Sequence, residues 1–144
     1  MQRTENYMVM EFLSRSSNES FARTAVATFA AQLDPPLDEI GDIKPAVSEA
    51  VTNSIVHGYP NTLGKIVVKV RILEKNTLEI SVRDWGCGIE NIDKAREPMF
   101  TTGGMDRSGM GFTIMESFMT SFSVQSIPGK GTTIHMRRKL QRRK

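Results

Sequence analysis

Three small groups of residues have types and spacings that could do chemistry. Glu49 and Asn53 stand four apart, so on a helix a carboxylate and an amide share one face. Together they could hold a hydroxyl or water and a Mg2+ ion, which takes oxygen ligands. An ordinary polar helix face would carry the same pair. His57, one further turn along, reads as a cation near a helix C-terminus. The second group is Asp84-Trp85-Gly86-Cys87-Gly88. A carboxylate ending an apolar strand face needs a donor, because burying it unpaired is costly. A purine amino group would serve, and Gly86 and Gly88 would let backbone approach a flat ligand. A tight turn in which the aspartate caps local amides accounts for the same residues. The third is Gly109-Met110-Gly111-Phe112, at the start of a predicted helix. N–H groups and the helix dipole favour phosphate there, although glycine is also common before helices. Thr101, Thr102, Gly103, Gly104, Arg107 and Ser108, just upstream, suit a polar lid.

The flanking pattern supplies elements to position these groups. Residues 6–13 read as a strand at a sheet edge. Ser16 reads as the cap of a first helix with Glu19 as its capping-box partner. Ala22, Ala25, Val26, Phe29 and Leu33 form its apolar stripe. Asp34-Pro35-Pro36 ends it. A second helix runs from about Asp38 or Asp42 to His57, with Val47, Ala50, Val51, Ser54 and Gly58 as a small-residue face. Pro45 requires either a start at Asp42 or a kink near Gly41. Ile66, Val68, Val70 and Ile72 alternate on one strand. Leu78, Ile80 and Val82 do so on the next, and Asp84 continues that inward face while Trp85 turns outward. A short helix from about Gly109 to Phe118 precedes a hairpin, 121–126 and 132–138 around Pro128-Gly129-Lys130-Gly131. The order β-α-α-β-β-α-β-β predicts an α+β fold, a two-layer α/β sandwich with helices on one face of a mainly antiparallel mixed sheet.

The remaining properties exclude several classes. At 144 residues the chain fits one domain. Cys87 is its only cysteine, which excludes a disulfide framework and suits a reducing cytoplasm. No apolar run approaches the roughly 20 residues of a membrane span, and Met1 to Glu5 lack a signal-peptide core. A soluble, cytoplasmic protein is expected. The basic pI of 9.2 comes from one end. The last eight residues hold six of the 19 Lys and Arg and no acid, leaving 13 basic and 16 acidic side chains in residues 1–136. The tail lacks interleaved aromatics, so neither nucleic acid nor membrane is an expected partner. Gly-x4-Gly-Lys-[Ser/Thr] is absent, as are the ordinary protein-kinase signatures and a third glycine for a dinucleotide fingerprint.

In order and spacing, Glu49-x3-Asn53, Asp84-x-Gly86-x-Gly88, Gly109-x-Gly111 and Gly131-Thr132 resemble the nucleotide-site motifs of the GHKL ATPases, which share the Bergerat fold. Val47 to Gly58, Phe100-Thr101-Thr102 and Arg107 to Glu116 resemble the anti-sigma F factor family of endospore-forming bacteria, as do Glu19 to Arg23 and Ala31 to Pro35. The similarity spans nearly the whole chain. It implies one ATP-binding kinase domain over residues 1–138 and a basic tail over 139–144. It implies a homodimer that uses ATP and Mg2+, cycles to ADP, holds a sporulation sigma factor inactive and phosphorylates a serine of an anti-anti-sigma protein.

The resemblance also assigns roles by position. Glu49 acts on the attacking serine hydroxyl, and Asn53 ligates Mg2+. Asp84 accepts from the adenine amino group with Thr132 beside it. Gly86 and Gly88 back the base; Gly109 and Gly111 line the phosphates. Thr101, Thr102, Arg107 and Ser108 form the lid, with Arg107 near the γ-phosphate and the docked partner. Arg23 contacts the sigma factor. Trp85 and Cys87 depart from the family pattern, as do Gly103-Gly104 where relatives often carry lysine, Pro45, and the tail. A GHKL hydrolase, a detached histidine-kinase ATP domain and a binding module gated by ATP are the competing functions, because Glu49 would suit a water as well as a serine.

Overall fold

The structure is a computed structural model that describes residues 2–89 and 111–141. Five strands, β1 (Thr4–Leu13), β2 (Lys65–Leu73), β3 (Thr77–Asp84), β4 (Ser121–Ile127) and β5 (Gly131–Lys139), form one sheet in the order β1-β2-β3-β5-β4. Helices α1 (Ser17–Ala30), α2 (Leu37–Asn53) and α3 (Gly111–Phe118) complete the described elements, with a 3-10 turn at Ala31–Leu33 and a π turn at Ser54–Gly58. The expected α+β sandwich is present, and β1 is an edge strand. Every strand pairing among the described residues is antiparallel. The connection explains this. Leu13, the last residue of β1, is the register partner of Lys65, the first of β2. The two-helix excursion between them therefore leaves and returns at the same end of the sheet.

Alternation sets the two faces. Ile66, Val68, Val70, Ile72, Leu78, Ile80, Val82, Ile134 and Met136 are buried under the helices. They meet Ala22, Val26 and Ala30 of α1, Ile43, Ala46, Val47, Ala50 and Val51 of α2, and Phe112 and Met115 of α3. The other face is polar and largely basic. Glu79 bridges Arg71 and Arg137 there. Desolvation raises the Glu79 pKa, but those two guanidiniums outweigh it and hold the carboxyl below its usual range.

Helix α1 follows Ser16 and α2 starts one residue before Asp38, both as expected, but the first turn of α1 is held differently. Ser16 makes no side-chain cap bond and has helical backbone angles, φ −58 and ψ −31. Glu19 does not close a capping box, because its carboxylate accepts from Arg23 Nη1 at 3.1 Å and from Ser48 Oγ at 3.3 Å. Helix α2 begins at Leu37, after Pro36, and runs through Pro45. An interior proline costs about 3 kcal/mol. Ile43, Val47 and Val51 are fully buried on the same helix, at roughly 1.5–3 kcal/mol each, and their burial outweighs that cost.

The segment 139–144, set apart above as a tail, begins inside the fold. Lys139 ends β5, Leu140 is 3% exposed, and the Leu140 N–H donates to the Asn76 carbonyl at 2.8 Å. The Gln141 N–H donates to Glu39 Oε2 at 2.8 Å. Apolar Leu140 and the carbonyl of Asn76, just before β3, account for this docking, which the surrounding basic residues disguise in the sequence. Leu140→Ala should lower unfolding stability by about 2–4 kcal/mol, whereas truncation after Gln141 should leave it within about 0.5 kcal/mol, both read from urea denaturation. Equal effects of the two changes would contradict the docking of Leu140.

Candidate functional site

The end of α2 is where the sequence elements converge. Glu49 and Asn53 are both half-buried on α2, four apart as expected. After Asn53 the helix widens by one residue per turn, and the Tyr59 N–H reaches the Ser54 carbonyl, five residues back, at 3.0 Å. Such π turns concentrate at functional sites. This one turns Ser54 and Gly58 toward the end of β3.

Asp84 stands there, 2% exposed. Ser54 Oγ donates to its Oδ2 at 2.7 Å, and the Gly86 N–H donates to its Oδ1 at 2.9 Å. Burial pushes the Asp84 carboxyl above its usual range, opposed by the N–H of Gly86, the Ser54 hydroxyl and the N–H of Thr132. A carboxylate has about four lone-pair sites, so these three donors leave one of them open. Thr132, 5% exposed, is the register partner of Asp84 on β5. The expected neighbour relation of these two residues is therefore present.

The loop after Asp84 is bolted down on both sides. Tyr59, 8% exposed, donates its hydroxyl to the Lys65 carbonyl at 2.7 Å and accepts the Trp85 N–H at 2.8 Å. Burial raises the phenol pKa first, with the Trp85 N–H opposing and the Asp84 charge adding. The Cys87 N–H donates to the Gly58 carbonyl at 2.9 Å, and the Gly129 N–H to the Cys87 carbonyl at 2.6 Å. A Cβ on Gly86 would overlap the Gly58 carbonyl oxygen; one on Gly88, whose φ is +76, would overlap that of Ile127. Close packing of protein backbone thus already requires both glycines. Trp85 lies on the outward face, 41% exposed, with Lys65 Nζ at 4.4 Å and Arg83 at 4.6 Å from its ring centre. Alternation predicted that direction. Cys87 is exposed.

The arrangement joins Asp84, Gly86 and Thr132 to the π turn that follows Glu49 and Asn53 on α2, while Gly88 packs against Ile127 at the end of β4. Gly111 opens α3. Thr101, Thr102, Arg107, Ser108 and Gly109 lie outside the described residues, as do Gly103 and Gly104. Arg23 is on α1, 41% exposed at its side chain and paired with Glu19. Sequence reasoning missed Tyr59 and Ser126 and saw Ser54 only as a small residue. A serine one residue past Asn53, or a tyrosine six past it, carries no spacing signal; only the bond each makes across the fold reveals it. Among the described residues no three His, Cys, Asp or Glu side chains gather as a metal cage. A Mg2+ shared with phosphates needs only one or two protein oxygens, and the Asn53 amide is of the right donor type. The lone-pair site left open on Asp84 is of the right type for one N–H of an exocyclic amino group.

The family description "Histidine kinase-like ATPase domain" matches residues 13–138. A protein of Clostridium acetobutylicum named anti-sigma F factor is 56% identical over 136 residues, covering 94% of each chain. One of the same name from Bacillus licheniformis is 51% identical over 142 residues, covering 97% of each. Among solved structures, the RsbU and RsbW domains of Rv1364c from Mycobacterium tuberculosis match with a TM-score of 0.71 at 20% identity, over 96% of this chain and 33% of that one. The mycobacterial sensor histidine kinase MprB matches at TM-score 0.59 and 13% identity, over 96% and 100%. These two likenesses show the fold.

Asp84→Asn tests the balance at this site. A carboxyl whose folded pKa is raised stabilises the fold while protonated, and that contribution is lost as pH rises through the folded value. The neutral amide can accept from Gly86 and donate to Ser54, so the variant should melt at or above the wild-type temperature at pH 7, with the difference shrinking toward acid pH. Its affinity for ADP should fall about 10- to 100-fold, the loss of a bond to a charged acceptor. Calorimetric melts and titrations would check both, and a variant both destabilised at neutral pH and normal in ADP affinity would refute the assignment.

Proposed function

The chain belongs to the anti-sigma F factor family of histidine kinase-like ATPase domains, and we propose that it binds and inhibits a sporulation sigma factor and phosphorylates a serine of an anti-anti-sigma protein with Mg-ATP. The nucleotide half of this reading rests on one observation above all. Asp84 is a nearly fully buried carboxylate with donors on each oxygen and acceptor capacity to spare, held one residue past the Glu49–Asn53 helix by Ser54. The partner half rests on relatives named anti-sigma F factor.

In this reading Asp84 accepts from the adenine amino group and Thr132 lies against the same edge of the base. Gly86 and Gly88 set the loop beside it. Asn53 would hold Mg2+, which when bound neutralises phosphate charge. Gly109 and Gly111 line the phosphates, and Thr101, Thr102, Arg107 and Ser108 close over them. The carboxylate of Glu49 orients the partner's serine and takes its proton. The serine oxygen then forms a bond to the γ-phosphorus as the bond to the β-phosphate oxygen breaks, releasing ADP. Transfer of this kind asks the protein for position and charge rather than covalent chemistry. Arg23 is the sigma contact, Arg107 a second partner contact, and the working unit a cytoplasmic homodimer of a single kinase domain, with residues past Gln141 as its basic end.

Labelled ATP distinguishes the alternatives. Phosphoserine on a co-incubated anti-anti-sigma protein is expected; free phosphate alone would make the protein a hydrolase, and neither product would leave a gated binder. Glu49→Ala should reduce transfer by about 10²- to 10⁴-fold, the range for a positioned general base, while ATP still binds. Asn53→Ala should also weaken Mg-dependent ATP binding by roughly tenfold or more. Undiminished transfer by Glu49→Ala would remove it from the catalytic role.

A further inference from the structure

Ser126, half-buried on β4, faces Thr132 across the β4–β5 pair. Its hydroxyl oxygen meets three groups. The Ile89 N–H donates to it at 2.7 Å, the Gly131 carbonyl accepts from it at 3.1 Å, and Thr132 Oγ1 stands at 2.8 Å. A serine hydroxyl has one proton and two lone pairs. Ile89 occupies one lone pair, so two proton arrangements remain. In the first, Ser126 donates to the Gly131 carbonyl and receives the Thr132 proton, and all three contacts are hydrogen bonds. In the second, Ser126 donates to Thr132, the contact with Gly131 lapses, and the Thr132 proton is free to point elsewhere. The first arrangement makes one more bond among largely buried groups and is favoured on that count.

We propose that Ser126 is a specificity-determining residue that fixes the polarity of the Thr132 hydroxyl. By receiving the threonine's proton, it leaves Thr132 with only lone pairs to offer beside Asp84. Asp84 itself accepts on both oxygens. The position-6 substituent of the purine is placed between Asp84 and Thr132, with ring N1 turned away from the Thr132 hydroxyl; the edge met there is acceptor-only, and it selects an amino group over a carbonyl. The Ile89 N–H is part of the device, since it blocks the serine lone pair that would otherwise allow other donors. This inference rests on reading the Asp84 pocket as the site of the base.

The experiment is the ratio of affinities for ADP and inosine diphosphate, by titration calorimetry, in wild type and variants. Wild type should prefer ADP. Ser126→Ala frees the Thr132 proton to meet the inosine carbonyl, so the preference should fall about tenfold, the worth of one such bond. Ser126→Thr keeps the hydroxyl and should keep the ratio. Thr132→Val removes the controlled group; it should lower the ratio by itself and make Ser126→Ala without further effect on it. It also serves if Ser126→Ala does not fold. A Ser126 that is merely a brace would weaken both nucleotides by one factor, and an unchanged ratio in Ser126→Ala or Thr132→Val would overturn the inference while leaving the adenine reading intact. A wild type that binds neither nucleotide, or both equally, would overturn the two together.

Discussion

A carboxylate buried at the end of an apolar strand face loses its water, and it stays ionised only if N–H and O–H groups are brought to it. Asp84 is that carboxylate, and the segments around it are where they are because each delivers a donor. The π turn after Asn53 carries Ser54 to one oxygen. The first residue of the following loop but one, Gly86, reaches the other. Strand β5 contributes the N–H of Thr132. The net effect still leaves the carboxyl above its ordinary pKa, so the donors offset desolvation only in part. A further donor at this carboxylate would oppose the effect of burial in the same way as the three that the fold supplies.

The strands and the inward position of Asp84 were legible because alternation has a period of two, and a single polar residue in phase with Ile80 and Val82 stands out. The four-residue step from Glu49 to Asn53 was legible for the same kind of reason. The register across β3 and β5 was not, yet it is what places Thr132 against Asp84. Nor was the π turn, whose extra residue breaks the very periodicity by which helices are read. Pro45 shows the opposite failure. A local rule called for a start at Asp42 or a kink near Gly41, whereas the helix runs from Leu37 through Pro45, with Ile43, Val47 and Val51 buried along it. Leu140 was hidden by its basic neighbours, because composition averages over a residue whose own contacts are apolar.

Glu19 shows how a correct local pattern can serve a different end. Its spacing from Ser16 suits a capping box, but Ser16 already has helical backbone angles, and the carboxylate turns instead to Arg23 and to Ser48 of α2. An exposed pair four residues apart contributes only about 0.3–0.5 kcal/mol, too little to hold a long arginine in one place. The Ser48 hydroxyl gives the Glu19 carboxylate a second anchor, on another helix. That anchor is the residue before Glu49. Arg23 on the surface of α1 is thus linked, through the one carboxylate of Glu19, to the helix that carries Glu49 and Asn53.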